Sequence, residues 1–118
     1  MAVFEVESWL VADGKEEEHD REMRRWLGWV KEHRDLFKEW KSVRYFEKHA
    51  AGDDTGRRFI MWEYESFAHY EAYKTRRKDY EGPYAEYKEN DPYYKNLFIY
   101  SRMTLEFWKD RERDLWIE

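Results

Sequence analysis

A strand that runs into a helix through one capping residue constrains this chain most. Residues 57–80 read RRFIMWEYESFAHYEAYKTRRKDY. The segment Phe59-Ile60-Met61-Trp62-Glu63-Tyr64 is short, aromatic and bounded by a turn, which is the pattern of a strand. Ser66 then offers a side-chain oxygen to the first free amides of a helix, and residues 67–80 continue without Gly or Pro. This junction fixes an architecture but not a reaction.

The rest of the chain is read around it. Residues 3–11 alternate loosely as a first strand ending at Asp13-Gly14, with Phe4, Val6, Ser8 and Leu10 on one face and Val3, Glu5, Glu7, Trp9 and Val11 on the other. Both faces hold large apolar groups, and the carboxylates point to a polar-lined cavity or rim. Alternation does not decide which face meets the helices, because a one-residue slip exchanges the two. Residues 15–37 predict a helix. Its apolar residues, with His19 and His33 among them, cover about half the circumference, where packing on one sheet takes roughly a third. A second contact surface, such as a dimer mate, is therefore expected. Residues 41–50 and 57–65 pair across Gly52-Asp53-Asp54-Thr55-Gly56, whose glycines and aspartates supply left-handed backbone.

In the second helix, Tyr70, Tyr73, Arg77, Tyr80 and His69 fall within about 100° of arc, so its inner side is tyrosine and arginine rather than leucine. Gly82-Pro83 ends it, residues 84–89 add a turn or two of helix, and Asp91-Pro92 caps a short helix running to Leu97. Residues 99–109 alternate as a last strand. Leu115, Trp116 and Ile117 in the charged tail are expected to pack, on a partner subunit if not on their own. The order β-α-β-β-α-β predicts an α+β, ferredoxin-like domain over residues 1–118, an antiparallel sheet with helices on one face. Two copies covering each other's open sheet faces would form a barrel-like assembly, so a homodimer is expected.

Composition narrows the partners. Aromatic residues make up 20% of the chain, with seven Trp and ten Tyr, so the core must be built from rings whose polar ends need hydrogen-bond partners. A net charge of −5 argues against nucleic acid, which needs a basic surface. No apolar stretch is long enough to span a bilayer, and Met1-Ala2-Val3-Phe4-Glu5 lacks the features of a targeting segment. The absence of Cys removes disulfide and thiolate chemistry and suits a cytoplasmic location.

Two short motifs carry a resemblance. Trp62-Glu63-Tyr64-Glu65-Ser66-Phe67 is similar to the aromatic–x–Ser/Asp turn that enters the second helix of the dimeric α+β barrel superfamily, and Asp91-Pro92-Tyr93-Tyr94 resembles its Asp-Pro-aromatic step before the final strand. That superfamily includes antibiotic-biosynthesis-type monooxygenases and NIPSNAP-like proteins. The resemblance implies a homodimer with a pocket between each sheet and its helices. Its members include cofactor-free oxygenases, haem degraders and lactone isomerases, so the fold does not choose among them. Haem degraders use a histidine deep in the second helix; here His69 lies only one turn in, and Tyr73 or Lys74 stands deeper. No cofactor is expected.

Candidate chemistry centres on Arg77 among Tyr70, Tyr73 and Tyr80. A buried guanidinium needs a carboxylate, a ligand anion or ring faces. Glu5 or Glu7 can pair with it as part of the structure. In the functional version, Arg77 and tyrosine hydroxyls hold an anion or enolate, Trp9 and Tyr64 flank an aromatic substrate, and Glu7 serves as base if desolvation raises its pKa. His69 is a further acid–base candidate, though packing or exposure suits it as well. His19, His33 and His49 show no metal-ligand spacing and suit ordinary hydrogen bonds. The substrate-binding set is thus Glu7, Trp9, Tyr64, His69, Tyr73 and Arg77. The reading is a small-molecule-binding homodimer, acting as a cofactor-independent monooxygenase or isomerase on an aromatic compound. A non-enzymatic oligomer or ligand sensor, whose rings serve core and interface, is the alternative.

Overall fold

Strand β1 (Val3–Trp9) lies inside the sheet, antiparallel to β3 (Arg58–Tyr64) on one side and to β4 (Thr104–Lys109) on the other; β2 (Ser42–Glu47) forms the far edge beyond β3. The computed structural model describes residues 1–118. Three helices complete it: α1 (Glu16–Glu32), α2 (Phe67–Arg77) and α3 (Tyr84–Asn90). The antiparallel order β2-β3-β1-β4 is the ferredoxin-like arrangement expected from the element order. None of the helices is long and apolar enough to cross a membrane.

Register resolves the ambiguity of β1. Glu5 sits opposite Trp62 and Phe107, and Glu7 opposite Ile60 and Leu105. Ile60 and Trp62 pack in the core beneath the helices with Trp26, Val30 and Tyr73, so Glu5, Glu7 and Trp9 face the helical layer. The opposite face carries Phe4, Val6 and Ser8, with Phe59 and Met61 from β3 and Trp108 from β4. Phe46 and Trp108 on that face are about half exposed.

Local chemistry explains the junctions. Ser66 accepts from the His69 amide as the α2 N-cap, a contact worth about 1 kcal/mol. The β2–β3 connection has Gly52 and Gly56 at φ 57° and 92°, but the aspartates act differently from expectation. Asp53 and Asp54 lie in a 3-10 turn, and the Asp54 carboxylate binds Lys48 and Arg57 at 3.0 Å each. Asp91 accepts from the Tyr93 amide at 2.9 Å and opens a 3-10 turn, Pro92–Lys95, shorter than the helix expected there.

Several expected bounds and contacts differ in the structure. Helix α1 stops at Glu32, and residues 34–37 tighten into a 3-10 turn that swings Phe37 into the core. Its wide apolar arc packs in part on α3: Trp26 and Trp29 lie 5.7 and 6.1 Å from the Tyr87 ring, and Phe37 lies 5.9 Å from Tyr84. Helix α2 ends at Arg77, three residues early, because Lys78 and Tyr80 take φ of 49° and 62° and fold the chain back. The last strand begins at Thr104, since residues 100–102 form a 3-10 turn. In the tail only Trp116 packs within the chain, stacked on Phe4 with centroids 6.5 Å apart; Leu115 is mostly exposed and Ile117 is 99% exposed.

Candidate functional site

The helical face of the sheet and the segment from α2 to the Pro92–Lys95 turn enclose a chamber with about 70 Å³ of interior room. Its inner wall is aromatic, built by Trp9, Trp26, Trp40, Trp62, Tyr87 and Phe98 with other rings. Its throat is polar. Glu5, Glu7, Arg77, Tyr80 and Asp91 line both the chamber and a wider open groove outside it, which Lys74, Tyr94 and Leu105 border. The site is thus an apolar interior behind a ring of charge.

Each throat residue owes its place to local structure. Alternation along β1 sends Glu5 and Glu7 to the same side as Trp9. The last turn of α2 supplies Arg77, the left-handed reversal after it returns Tyr80, and the cap of the 3-10 turn supplies Asp91. Trp9 is stacked on Phe98 at 4.4 Å and donates its indole N–H to His19 Nε2 at 2.9 Å. An indole nitrogen only donates, so His19 carries its proton on Nδ1 and gives it to Asp20 at 3.0 Å. Arg58 completes the chain, donating to Asp20 at 2.6 Å and to the Tyr45 hydroxyl at 2.9 Å. Burial lowers the pKa of His19, which keeps it a neutral support for Trp9.

Burial dominates the electrostatics of the throat. It pushes the Glu7 pKa up to about 7, with the neighbouring carboxylates of Asp91 and Glu5 adding repulsion. Burial likewise raises Asp91 to about 6 and raises Glu5. The Glu5 carboxylate accepts from the Tyr64 hydroxyl at 3.2 Å, and that hydroxyl accepts from Trp40 Nε1 at 3.0 Å.

Arg77 departs from the expected pairing. No carboxylate lies within 4.0 Å of its guanidinium, so neither Glu5 nor Glu7 forms an ion pair with it. The group lies over the Tyr80 ring at 4.2 Å and near the Tyr73 ring at 5.3 Å, with a long 3.5 Å contact to the Tyr73 hydroxyl. Its buried Nε has no acceptor on the protein. Ring faces steady this cation while leaving its donors available.

The structure therefore gathers Glu7, Trp9, Tyr73 and Arg77 around one space, with Glu5 beside them. Tyr64 lies behind the wall and acts through Glu5. His69 is elsewhere: its exposed ring bonds to Ser66 Oγ at 2.7 Å and approaches Glu65 at 3.8 Å. A haem does not fit these residues, since α2 turns Tyr73 and Arg77 inward instead of an imidazole and the interior is far too small. Sequence reasoning missed Asp91 as a throat residue because its capping role already explained it. It also missed Trp26 and Trp62, which read as ordinary core.

No protein-family model and no curated relative matches this sequence. Solved structures do. A NIPSNAP family protein from Agrobacterium tumefaciens superposes with a TM-score of 0.66 at 13% identity, covering 92% of each chain. A protein from Bordetella bronchiseptica, provisionally named an antibiotic biosynthesis monooxygenase, matches with a TM-score of 0.60 at 12% identity, covering 92% of this chain and 96% of that one. This chain has the fold of the NIPSNAP and antibiotic-biosynthesis-monooxygenase proteins. An uncharacterised NIPSNAP domain protein from Burkholderia xenovorans adds a TM-score of 0.61 at 13% identity, over 92% and 93% of the two chains. At such identities the likeness is one of fold, and chemistry must come from the throat and chamber.

Proposed function

We propose that this chain is a cytoplasmic, homodimeric protein that binds a small aromatic molecule at the throat and in the groove outside it, with Glu7 accepting a proton from it and Arg77 holding the anion that results. The observation that carries this reading is a permanent cation with free donors beside a carboxyl group whose pKa lies at about 7. A base poised near neutral pH takes a proton efficiently, and an unpaired guanidinium next to it favours the charged product. Cofactor-independent oxygenation then follows if the electron-rich anion itself reduces O₂; isomerisation follows if the proton returns to a different atom. The rings that border the throat and groove, Tyr80 and Tyr94 among them, support an aromatic ring as the part of the ligand that packs there.

Oxygen uptake and product analysis with a panel of phenols and quinols test this. Turnover or saturable binding by the wild type is expected, with at least a tenfold loss of kcat/KM in Arg77→Met, on the order of one charge-assisted hydrogen bond. A second reading, a non-enzymatic oligomer, draws on the ring packing: Trp40 alone lies within about 6 Å of Phe37, Trp62, Tyr73 and Tyr87. On that reading Arg77→Met changes stability and nothing else.

The homodimer is the second part of the proposal. On the sheet face away from the helices, Phe46 and Trp108 are about half exposed beside the partly exposed Phe59 and Met61, apolar surface that a second copy would cover. Phe46 and Trp108 are exposed on it, so Phe46→Glu with Trp108→Glu adds charge there without emptying the core. Sedimentation at micromolar concentration should find the wild type dimeric and the double variant monomeric. A wild type that sediments as one subunit removes the dimer.

A further inference from the structure

The buried and partly buried cations of this chain have partners, with two exceptions on α2. Arg57 and Lys48 bind Asp54, Arg58 binds Asp20, Lys95 binds Glu22, and Lys15 donates to the Asn96 carbonyl. Lys74 and Arg77 are partly buried and line the open groove, yet no carboxylate lies within 4.0 Å of either. Lys74 Nζ makes no hydrogen bond within the chain and lies 5.9 Å from the Tyr70 ring; Arg77 Nη1 reaches the Tyr73 hydroxyl, and Nη2 has no partner. Unlike the enclosed Arg77 Nε, both Lys74 Nζ and Arg77 Nη2 keep surface open to solvent. The helix end does not account for this pair. A cation in the last turn is favourable there, but Arg76 meets that pole from the outer side while paired with Glu39. Nor do the throat carboxyls act as counter-charges, since an ion pair would lower their pKa values and burial instead raises those of Glu5, Glu7 and Asp91. Like charges three residues apart on a helix repel, and burial together with the Arg77 charge lowers the pKa of Lys74. A groove of about 530 Å³ thus carries two cations with no anion in contact with them.

We propose that Lys74 holds a carboxylate of the ligand, so that the groove takes hydroxylated aromatic acids in preference to neutral phenols. The assignment rests on the reading of throat and groove as an aromatic ligand site and adds a second group that the ligand carries. Arg77 already serves the oxygen that loses its proton to Glu7. A second open cation one turn back along α2 calls for a second anionic group on the same molecule. The lysine ammonium is a compact point charge on a flexible stem, which suits a carboxylate whose place is set by the ring that bears it. A phosphate ester is less suited, because the cations stand at the C-terminal end of α2, where no free backbone N–H groups point outward. The arrangement also orients the ligand. Glu5 and Glu7 on β1 and Asp91 at its turn repel a carboxylate from their side, while Lys74 attracts it to α2. The ring therefore lies with its hydroxyl toward Glu7 and Arg77 and its acid group toward Lys74.

The test titrates the whole protein with 4-hydroxybenzoate and with 4-hydroxybenzyl alcohol, its neutral match, read by calorimetry and by the ε-methylene resonances of ¹³C-labelled lysine. The acid should bind the wild type about tenfold more tightly than the alcohol, the size of one charge-assisted contact. It should also shift the Lys74 resonance, which the alcohol leaves in place. Lys74→Met should bring the ratio of the two affinities close to one, and Lys74→Arg, which keeps the charge, should hold it near the wild-type value. Assignment of the Lys74 resonance through space in the wild type keeps the shift measurement decisive even if a variant folds poorly. Equal binding of the two probes with the Lys74 resonance unmoved overturns the carboxylate assignment and leaves the throat standing as a site for phenols. A preference for the acid that survives in Lys74→Met overturns the role of Lys74. Absence of binding by either probe overturns both.

Discussion

Replacing Arg76 by Met is expected to lower stability by about 3 kcal/mol, a fall in Tm of roughly 10 °C for a chain of this size. Arg76 stands next to Arg77 but points the other way. Its guanidinium grips both oxygens of Glu39 at 2.5 Å, donates to the Tyr84 hydroxyl at 2.9 Å and reaches the Leu36 carbonyl at 3.0 Å. It thereby ties α2 to the end of the α1 segment and to α3. Glu39 is 8% exposed, and its pKa is lowered chiefly by the hydrogen bonds from Arg76. Removing the arginine leaves a buried carboxylate with no cation, which is the expensive way to break a buried pair. Because Arg76 is itself one-third exposed, the lower end of the usual range applies. The double variant Arg76→Met with Glu39→Leu should regain most of the loss, since two apolar groups of similar size replace the pair without stranding a charge. A single variant within 1 kcal/mol of wild type in chemical denaturation contradicts the role given to this pair.

Glu7→Gln is expected to stabilise the protein above neutral pH while abolishing whatever proton transfer the throat performs. Burial raises the Glu7 pKa from 4.5 to about 7, so the folded chain holds a proton that the unfolded chain has already lost. The stability linked to that proton is fully present below pH 4.5 and is lost as pH rises through about 7. At about 1.4 kcal/mol per pH unit, and allowing for the partial exposure of the group, the loss is on the order of 2–3 kcal/mol. Glutamine never ionises. The gap between Glu7→Gln and wild type should therefore widen by that amount from pH 4.5 to pH 8, in favour of the variant. His19, whose lowered pKa makes stability fall as pH drops below its unfolded value, is common to both proteins and cancels in the difference. Parallel curves across this window would show that Glu7 is no more desolvated in the folded chain than in the unfolded one. A variant that is both more stable and inactive separates catalytic loss from unfolding, as expected when an active site keeps a strained group.

The elements were legible in the sequence where their signals are local. Ser66 caps α2 because its side chain reaches an amide three residues on, and the two glycines of the β2–β3 loop take positive φ because only they do so freely. The carboxylates of β1 were legible as a cavity lining because alternation puts Glu5, Glu7 and Trp9 on one side. The end of α2 was not legible: nothing in the Thr75-Arg76-Arg77-Lys78 run forbids another helical turn, and packing of the following chain reverses it. His69 shares the inner arc of an ideal helix, yet it sits one turn from the N-cap, where Ser66 and Glu65 hold it at the surface.

Taken alone, the residue order determined the β-α-β-β-α-β framework, the ring-built core and the presence of carboxylates on the strand that carries the site. Those follow from period, capping and turn chemistry, which act within a few residues. Only the folded arrangement decided that Arg76 is spent on Glu39 while Arg77 stays unpaired, and that Asp91 joins Glu5 and Glu7. Each of these depends on which groups from distant segments exclude water together, and desolvation and hydrogen-bond pairing are properties of that shared space rather than of any one stretch of chain.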